Sequence, residues 1–305
     1  MRVDFEKISR PLDAPVATSR GIFTRRESLL VKISQPSDGV SAAGECAPWL
    51  GFGCETLARA ERFLEKISGR DLPALPPVPD DLPCLAHALS AAAFFLKNPD
   101  AKNAPEPPPS ARAKLLRRDV PETPPEKILA LAARERELHG FSVFKIKIGL
   151  RDADAEIRFC ENLLADAPAG MRFRFDANGA FSKKILPALV ALSAAPALEF
   201  FEQPLPPSPE NDAEIFSCAE KFGAKFALDE SVRAPDAFPT ATPVVAVVKP
   251  ALAGDFPKLL AWLARADAAS VVVSTVFENS AAGRAALFLA CSRVEKNRRR
   301  AFGLG

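Results

Sequence analysis

A chain of 305 residues has room for one large domain or two, and an apolar fraction of 48% is enough for a sizeable core. Its net charge of +2 predicts no nucleic-acid partner and no polybasic membrane contact; no apolar run approaches the ~20 residues of a membrane helix. Six cysteines (Cys46, Cys54, Cys84, Cys160, Cys218, Cys291) without a Cys-x-x-Cys predict neither a zinc site nor a disulfide framework, and a reducing cytosol is expected.

Residues 1–85 read as a mixed α+β unit and 86–305 as a second, larger domain. Ser28 to Ser34 reads as a strand, Gly44 to Gly53 as a loop holding Trp49 and Phe52, and Glu55 to Ile67 as a helix with Leu57, Ala60, Phe63 and Leu64 at helical spacing. The proline-dense stretch Leu72 to Pro83 breaks regular structure. An alanine-rich helix follows over 85–96, then a first barrel strand over 113–116. Thr123 and Glu126 form a capping-box pattern ahead of the helix 127–138. From there strands are predicted at 143–148, 172–176, 198–202, 226–229, 244–249 and 271–275. Helices are predicted between most of them and after the last. Such alternation argues for parallel βα units. The absence of Gly-x-Gly-x-x-Gly after any strand favours a barrel over a dinucleotide fold. The basic cluster Arg298 to Arg300 reads as a solvated helix end. His87 and His139 fall in helices and are too few for a histidine-based triad.

Charge recurs at the C-terminal ends of these strands. Lys147, Asp176, Glu202, Asp229 and Lys249 follow one another at steps of 29, 26, 27 and 20 residues, about the length of a strand, a helix and two loops. Chemistry in barrel enzymes happens at that end. Lys145 and Lys147 share one strand face and Phe144, Ile146 and Ile148 the other. Inside a barrel, burial and mutual repulsion are expected to lower the lysine pKa toward that of a general base. Three carboxylates meeting at a barrel mouth repel unless a cation neutralises them, and all-oxygen ligation selects a hard ion, Mg²⁺ first, with Mn²⁺ a substitute. Asn178 reads as an extra polar ligand or a turn residue, and Glu230 as support behind the ligands. Arg174 should lie beneath Asp176. Ser274 and Thr275 end the last strand, where they bind a substrate carboxylate or cap a helix, and Glu278 braces the structure.

Lys145-Ile-Lys147, Asp176-Ala-Asn178, Phe201-Glu202-Gln-Pro204, Asp229-Glu-Ser231 and Val248-Lys249-Pro250 resemble the enolase superfamily, and within it the muconate-lactonizing-type subgroup. Gly44-Glu-Cys-Ala-Pro48 and Gly51 to Thr56 resemble the o-succinylbenzoate synthase family. The resemblance implies an α+β capping domain over a modified (β/α)7β TIM-type barrel. It implies a dehydration that makes o-succinylbenzoate from a hydroxycyclohexadiene carboxylate, for menaquinone or phylloquinone synthesis. Lys147 would be the base and then the acid, and Lys249 would face it over the substrate ring. Lys145 would complete the catalytic lysines. Mg²⁺ would sit on Asp176, Glu202 and Asp229, and Arg174, Asn178, Ser274 and Thr275 would contact the small-molecule substrate. Loops near Arg20-Gly21 and Trp49 to Phe52 would close the site. The pattern after Glu278 places its glycine late, and Gly303-Leu-Gly305 falls where the family continues, so a shortened C-terminus is expected and the final strand and cap contact are left open. The resemblance is also compatible with an N-acylamino acid racemase using both lysines, and a catalytically silent barrel is the non-enzymatic rival.

Overall fold

The computed structural model describes the chain except residues 19, 20, 38, 50, 51, 119, 233–237, 296–299 and 305, with backbone alone for 13–18, 21, 22 and 295. The N-terminal sheet pairs β1 (Arg2–Thr18) antiparallel with β2 (Gly21–Ser34), and β2 with β3 (Ser41–Cys46). Leu29, Val31 and Ile33 alternate onto one face and are fully buried there. They pack against α1 (Leu57–Glu65) and α2 (Pro83–Lys97). The expected loop from Gly44 begins later: Gly44, Glu45 and Cys46 finish β3. The glycine is needed there because a Cβ would collide with the Ala88 carbonyl of α2. A division at residue 85 falls inside α2, whose Leu85, Ala88 and Leu89 pack in the cap core while Ala91 and Phe95 pack with the barrel.

The second sheet is parallel and runs in chain order through β4 (Ala113–Leu116), β5 (Val143–Lys147), β6 (Arg172–Asp176), β7 (Leu198–Glu202), β8 (Phe226–Leu228), β9 (Val245–Val248) and β10 (Val271–Val273). Around it lie α3 (Pro125–His139), α4 (Ala153–Ala165), α5 (Leu186–Leu192), α6 (Pro209–Phe222), α7 (Phe256–Leu263) and α8 (Ala281–Glu295). Asp152, Ser208 and Asp255 cap α4, α6 and α7 with their side chains. The capping box ahead of α3 does not form; Thr123 instead bonds back to Val120 N and O. No helix lies between β8 and β9 among the described residues, in keeping with the short step from Asp229 to Lys249.

Phe302 and Gly303 close the sheet between its first and last strands. Phe302 N donates to Ala111 O and Ala113 N to Phe302 O on one side; Gly303 N donates to Val273 O and Thr275 N to Gly303 O on the other. The lumen is filled by Phe200, Ala227, Val245, Val247 and Val272. The molecule is therefore a TIM-type barrel under an N-terminal antiparallel sheet. No helix is long and apolar enough to cross a membrane among the described residues.

The cap is joined to the barrel through two buried charges. Glu45 accepts from Ser28 Oγ (2.7 Å), Ser280 N (3.0 Å) and Ser280 Oγ (2.6 Å) at the start of α8. Arg26 donates to Pro48 O (2.7 Å), Ala47 O and Val276 O (3.2 Å), spanning both units.

Candidate active site

Strand register gathers the acids. Lys147 pairs with Asp176, Asp176 with Glu202, and Glu202 with Ala227, two residues before Asp229. Side chains two apart share a face, so Lys145, Lys147, Arg174, Asp176, Phe200, Glu202, Ala227, Asp229, Val247 and Lys249 all face the lumen. The apolar partners Phe144, Ile146 and Ile148 pack outward beneath the helices. Asp176, Glu202 and Asp229 are 0%, 1% and 4% exposed.

Each acid meets an amine. Lys145 Nζ lies 2.7 Å from both Asp176 Oδ2 and Glu202 Oε1, Lys147 Nζ lies 2.6 Å from Asp176 Oδ2, and Lys249 Nζ pairs with Asp229 Oδ1. Three acids and three lysine amines thus pair in a site whose acids are buried. Burial alone would push the Lys145 amine down, but the Asp176, Glu202 and Asp229 carboxylates outweigh it and hold this lysine high. The expected lowering by a second lysine is corrected here: acids, not the neighbouring amine, dominate its field. Burial raises Asp176 less than Lys145 and Lys147 lower it, so it stays a carboxylate. Glu202 is pushed up to about 7, first by burial, with Asp176 and Asp229 adding to it against Lys145 and Lys249. Burial likewise raises Asp229.

This donor set fits a hard divalent ion. The three acids are oxygen donors on the mouths of adjacent strands, buried together, and a hard cation would offset the burial that raises Glu202 and Asp229. In the structure their oxygens do not form a common group within 4.8 Å, because each carboxylate is drawn to an amine. Shared ligation needs side-chain rotation toward one point.

Asn178, at φ 47°, stands between the base candidate and Glu230: its Oδ1 accepts from Lys147 Nζ (2.6 Å) and its Nδ2 donates to Glu230 Oε1 (3.0 Å). Glu230 thus turns toward Asn178 rather than away from the site. Arg174, expected at the substrate, is sealed below it. It is 1% exposed, pairs with Glu199 (3.1 Å) and donates to Ala301 O (2.6 Å). A register shift between Phe173 and Arg174 leaves Glu199 as the extra residue of β7, free to turn inward. Ser274 and Thr275 are likewise engaged within the protein. Ser274 Oγ donates to Gly303 O (3.0 Å), and Thr275 Oγ1 bonds Glu278 and accepts from Phe277 N (2.7 Å). Arg300 is no solvated helix end; it reaches Glu199 (3.5 Å) and Ala269 O (2.6 Å). Arg298 and Arg299 lie outside the described residues, as do Arg20, Leu50 and Gly51.

Two contacts escape sequence reasoning. Gln203, buried at φ 39°, accepts from Asp229 N (2.9 Å) and Ser231 N (3.2 Å), fixing the turn that carries Asp229. Its only signal is its place after Glu202. Phe52 presents its ring to Lys249, 4.3 Å from Nζ, and Trp49 stacks between Phe23 and Phe277. The aromatic pair is visible in the sequence, but its lysine partner is not.

Residues 127–295 match the family described as enolase C-terminal domain-like. An o-succinylbenzoate synthase of Enterobacter sp. (strain 638) is 30% identical over 88% of this chain and 80% of its own length. A hydrophobic dipeptide epimerase of Roseobacter litoralis is 29% identical over 67% of this chain and 62% of its own. The crystal structure of o-succinylbenzoate synthase from Thermosynechococcus elongatus BP-1, complexed with Mg in the active site, superposes with a TM-score of 0.80 at 25% identity. That match covers 100% of this chain and 93% of the other. With the acids and lysines on successive strand ends of the same barrel, the chain belongs to the enolase superfamily.

Proposed function

We propose that the protein is an o-succinylbenzoate synthase, dehydrating 2-succinyl-6-hydroxy-2,4-cyclohexadiene-1-carboxylate to o-succinylbenzoate. The observation that carries this reading is the placement of Lys147. Its Nζ is the most accessible amine of the acid cluster, with the side chain 38% exposed, and it is aimed by Asp176 and Asn178. A neutral Lys147 takes the proton α to the substrate carboxylate. The same ammonium then gives that proton to the departing hydroxyl on the same face, so water leaves without a second base. Lys249, held by Asp229 and Phe52, supplies positive charge from the opposite side. Lys145 is a poorer base: its amine is fixed between two acids and held high. Asp176, Glu202 and Asp229 would hold a Mg²⁺ ion, which would supply Lewis-acid stabilisation of the negative charge developed on the substrate carboxylate. The similarity to synthases of this name supports the assignment.

The ultraviolet absorbance of the cyclohexadiene tests it: loss with Mg²⁺, and none after EDTA, is expected. Persistence of the diene with Mg²⁺ present overturns the assignment.

A second reading has its own support. Lys147 and Lys249 stand on opposite sides of the acid cluster, the arrangement a two-base racemase or epimerase requires, and an epimerase is among the similar proteins. Solvent-deuterium exchange into both enantiomers of an N-succinylamino acid supports that activity, and absence of exchange removes it.

A further inference from the structure

Outside the acid cluster, the fold brings together two cysteines that are thirty residues apart in the chain. Cys54 follows α1's entry loop and Cys84 opens α2. Their sulfurs and a Glu55 oxygen all lie within 4.8 Å of one another. Cys54 is half-buried and reachable; Cys84 is buried behind it. Cys54 Sγ also donates to Trp49 O and accepts from Trp49 N, both at 3.2 Å. It therefore anchors the segment whose Phe52 ring faces Lys249 at 4.3 Å.

We propose that Cys54 and Cys84 form a reversible oxidation site, which a low-molecular-weight disulfide converts to an intramolecular disulfide tying Cys54, and the Trp49 backbone it bonds, to the start of α2. The chemistry balances. Cys54 thiolate attacks one sulfur of the small disulfide, forming a mixed disulfide and releasing one small thiolate. Cys84, giving up its proton, attacks Cys54 Sγ and releases the second. Two protein thiols are oxidised and one small disulfide is reduced to two thiols.

The two sulfurs are suited to these unequal roles. The neighbouring Cys84 thiol holds the Cys54 thiol below its ordinary value against the effect of burial, while burial first, and the proximity of Cys54, raise Cys84. The more acidic thiol is the exposed one, as an attacking cysteine requires. Closing from thiol contact to a bond of ~2.05 Å asks Cys54 to move, and it follows Gly53, at φ +65°. A metal is the competing use of this cluster. Glu55, however, already accepts from Cys84 N (3.3 Å) and Leu85 N (2.8 Å), capping α2, and a metal would draw that carboxylate away. Cys46, also nearby, is fully buried on β3, and burial raises its thiol.

The test treats the full chain with glutathione disulfide, alkylates the remaining thiols and maps peptides without reduction. The expected product is one Cys54–Cys84 cross-link, reversed by dithiothreitol, with Trp49 emission shifted. Cys84→Ser should stop at a glutathione adduct on Cys54, and Cys54→Ser should give neither species. A cross-link through Cys46, a wild-type adduct that never closes, or both thiols remaining free overturns the proposal. So does one equivalent of zinc in the isolated wild-type protein that is lost in Cys54→Ser. The wild-type peptide map decides the matter even if a variant fails to fold.

Discussion

Lys145 Nζ and Glu202 Oε1 lie 2.7 Å apart across the width of β6, yet Glu202 is still pushed up to about 7. One ammonium shared with Asp176 does not offset the burial of that carboxylate beside two others. The folded state therefore favours the protonated form of Glu202. Its contribution is full below the ordinary value of about 4.5 and is lost as pH rises through about 7. Asp176, held low, acts in the opposite sense: its contribution is present above the ordinary value of about 3.8 and is lost only as the solution becomes more acidic. Metal-free protein should lose melting temperature between about pH 5 and 7.5, and Glu202→Gln should flatten that decline. Because ion and proton compete for the same carboxylate, Mg²⁺ should raise the melting temperature more at pH 8 than at pH 5. Calorimetry of both proteins with and without Mg²⁺ checks this.

Lys147→Ala should lower kcat for the diene by about 10³-fold, within the range of a lost general base, with KM little changed. Asn178→Ala removes one of the two bonds that aim the amine, together with the Asn178–Glu230 bond, and should cost about tenfold. Stopped-flow absorbance measures both. An unaltered kcat in the lysine variant would move the base elsewhere.

Arg174 and Glu199 are each almost inaccessible to solvent and bonded at 3.1 Å. Removing one partner strands a buried charge, so Glu199→Gln or Arg174→Met should destabilise by about 3–5 kcal/mol in urea unfolding. Since Arg174 also holds Ala301 O, its replacement should loosen the joint between first and last strands, seen as faster amide exchange at Ala113.

Gly283→Ala places a methyl against Glu45 Oε2 and 3.0 Å from Glu278 Cβ. Glu45 cannot swing aside without breaking its bonds to Ser28 and Ser280. A loss of about 1–3 kcal/mol is expected from such overpacking, with faster proteolysis between cap and barrel. Melting curves and limited trypsin digestion read the two effects.

How far the chain could be read beforehand depended on the range of the interactions. Asp176, Glu202 and Asp229 were legible because each closes a short apolar strand and parallel pairing repeats at a near-constant step. The inward face of Lys145 and Lys147 followed from two-residue alternation. The duties of Arg174, Ser274 and Arg300 were not legible, since their partners Glu199, Gly303 and Ala269 are set by a strand bulge and by barrel closure. Both are tertiary events without a local signature. The same holds for Cys54 and Cys84, which no spacing rule connects, and for β3, whose Gly44 looks like a turn residue until α2 is laid across it.

Barrel closure by Phe302 and Gly303 has a consequence for biogenesis. During synthesis β4 and β10 must wait as bare edges until these residues leave the ribosome, because among the described residues nothing earlier bridges them. Unpaired edges invite pairing with other chains. A chain that lacks Phe302 and Gly303 thus keeps both edges open, and a truncation ahead of Ala301 should yield insoluble product despite leaving every acid and lysine of the site intact.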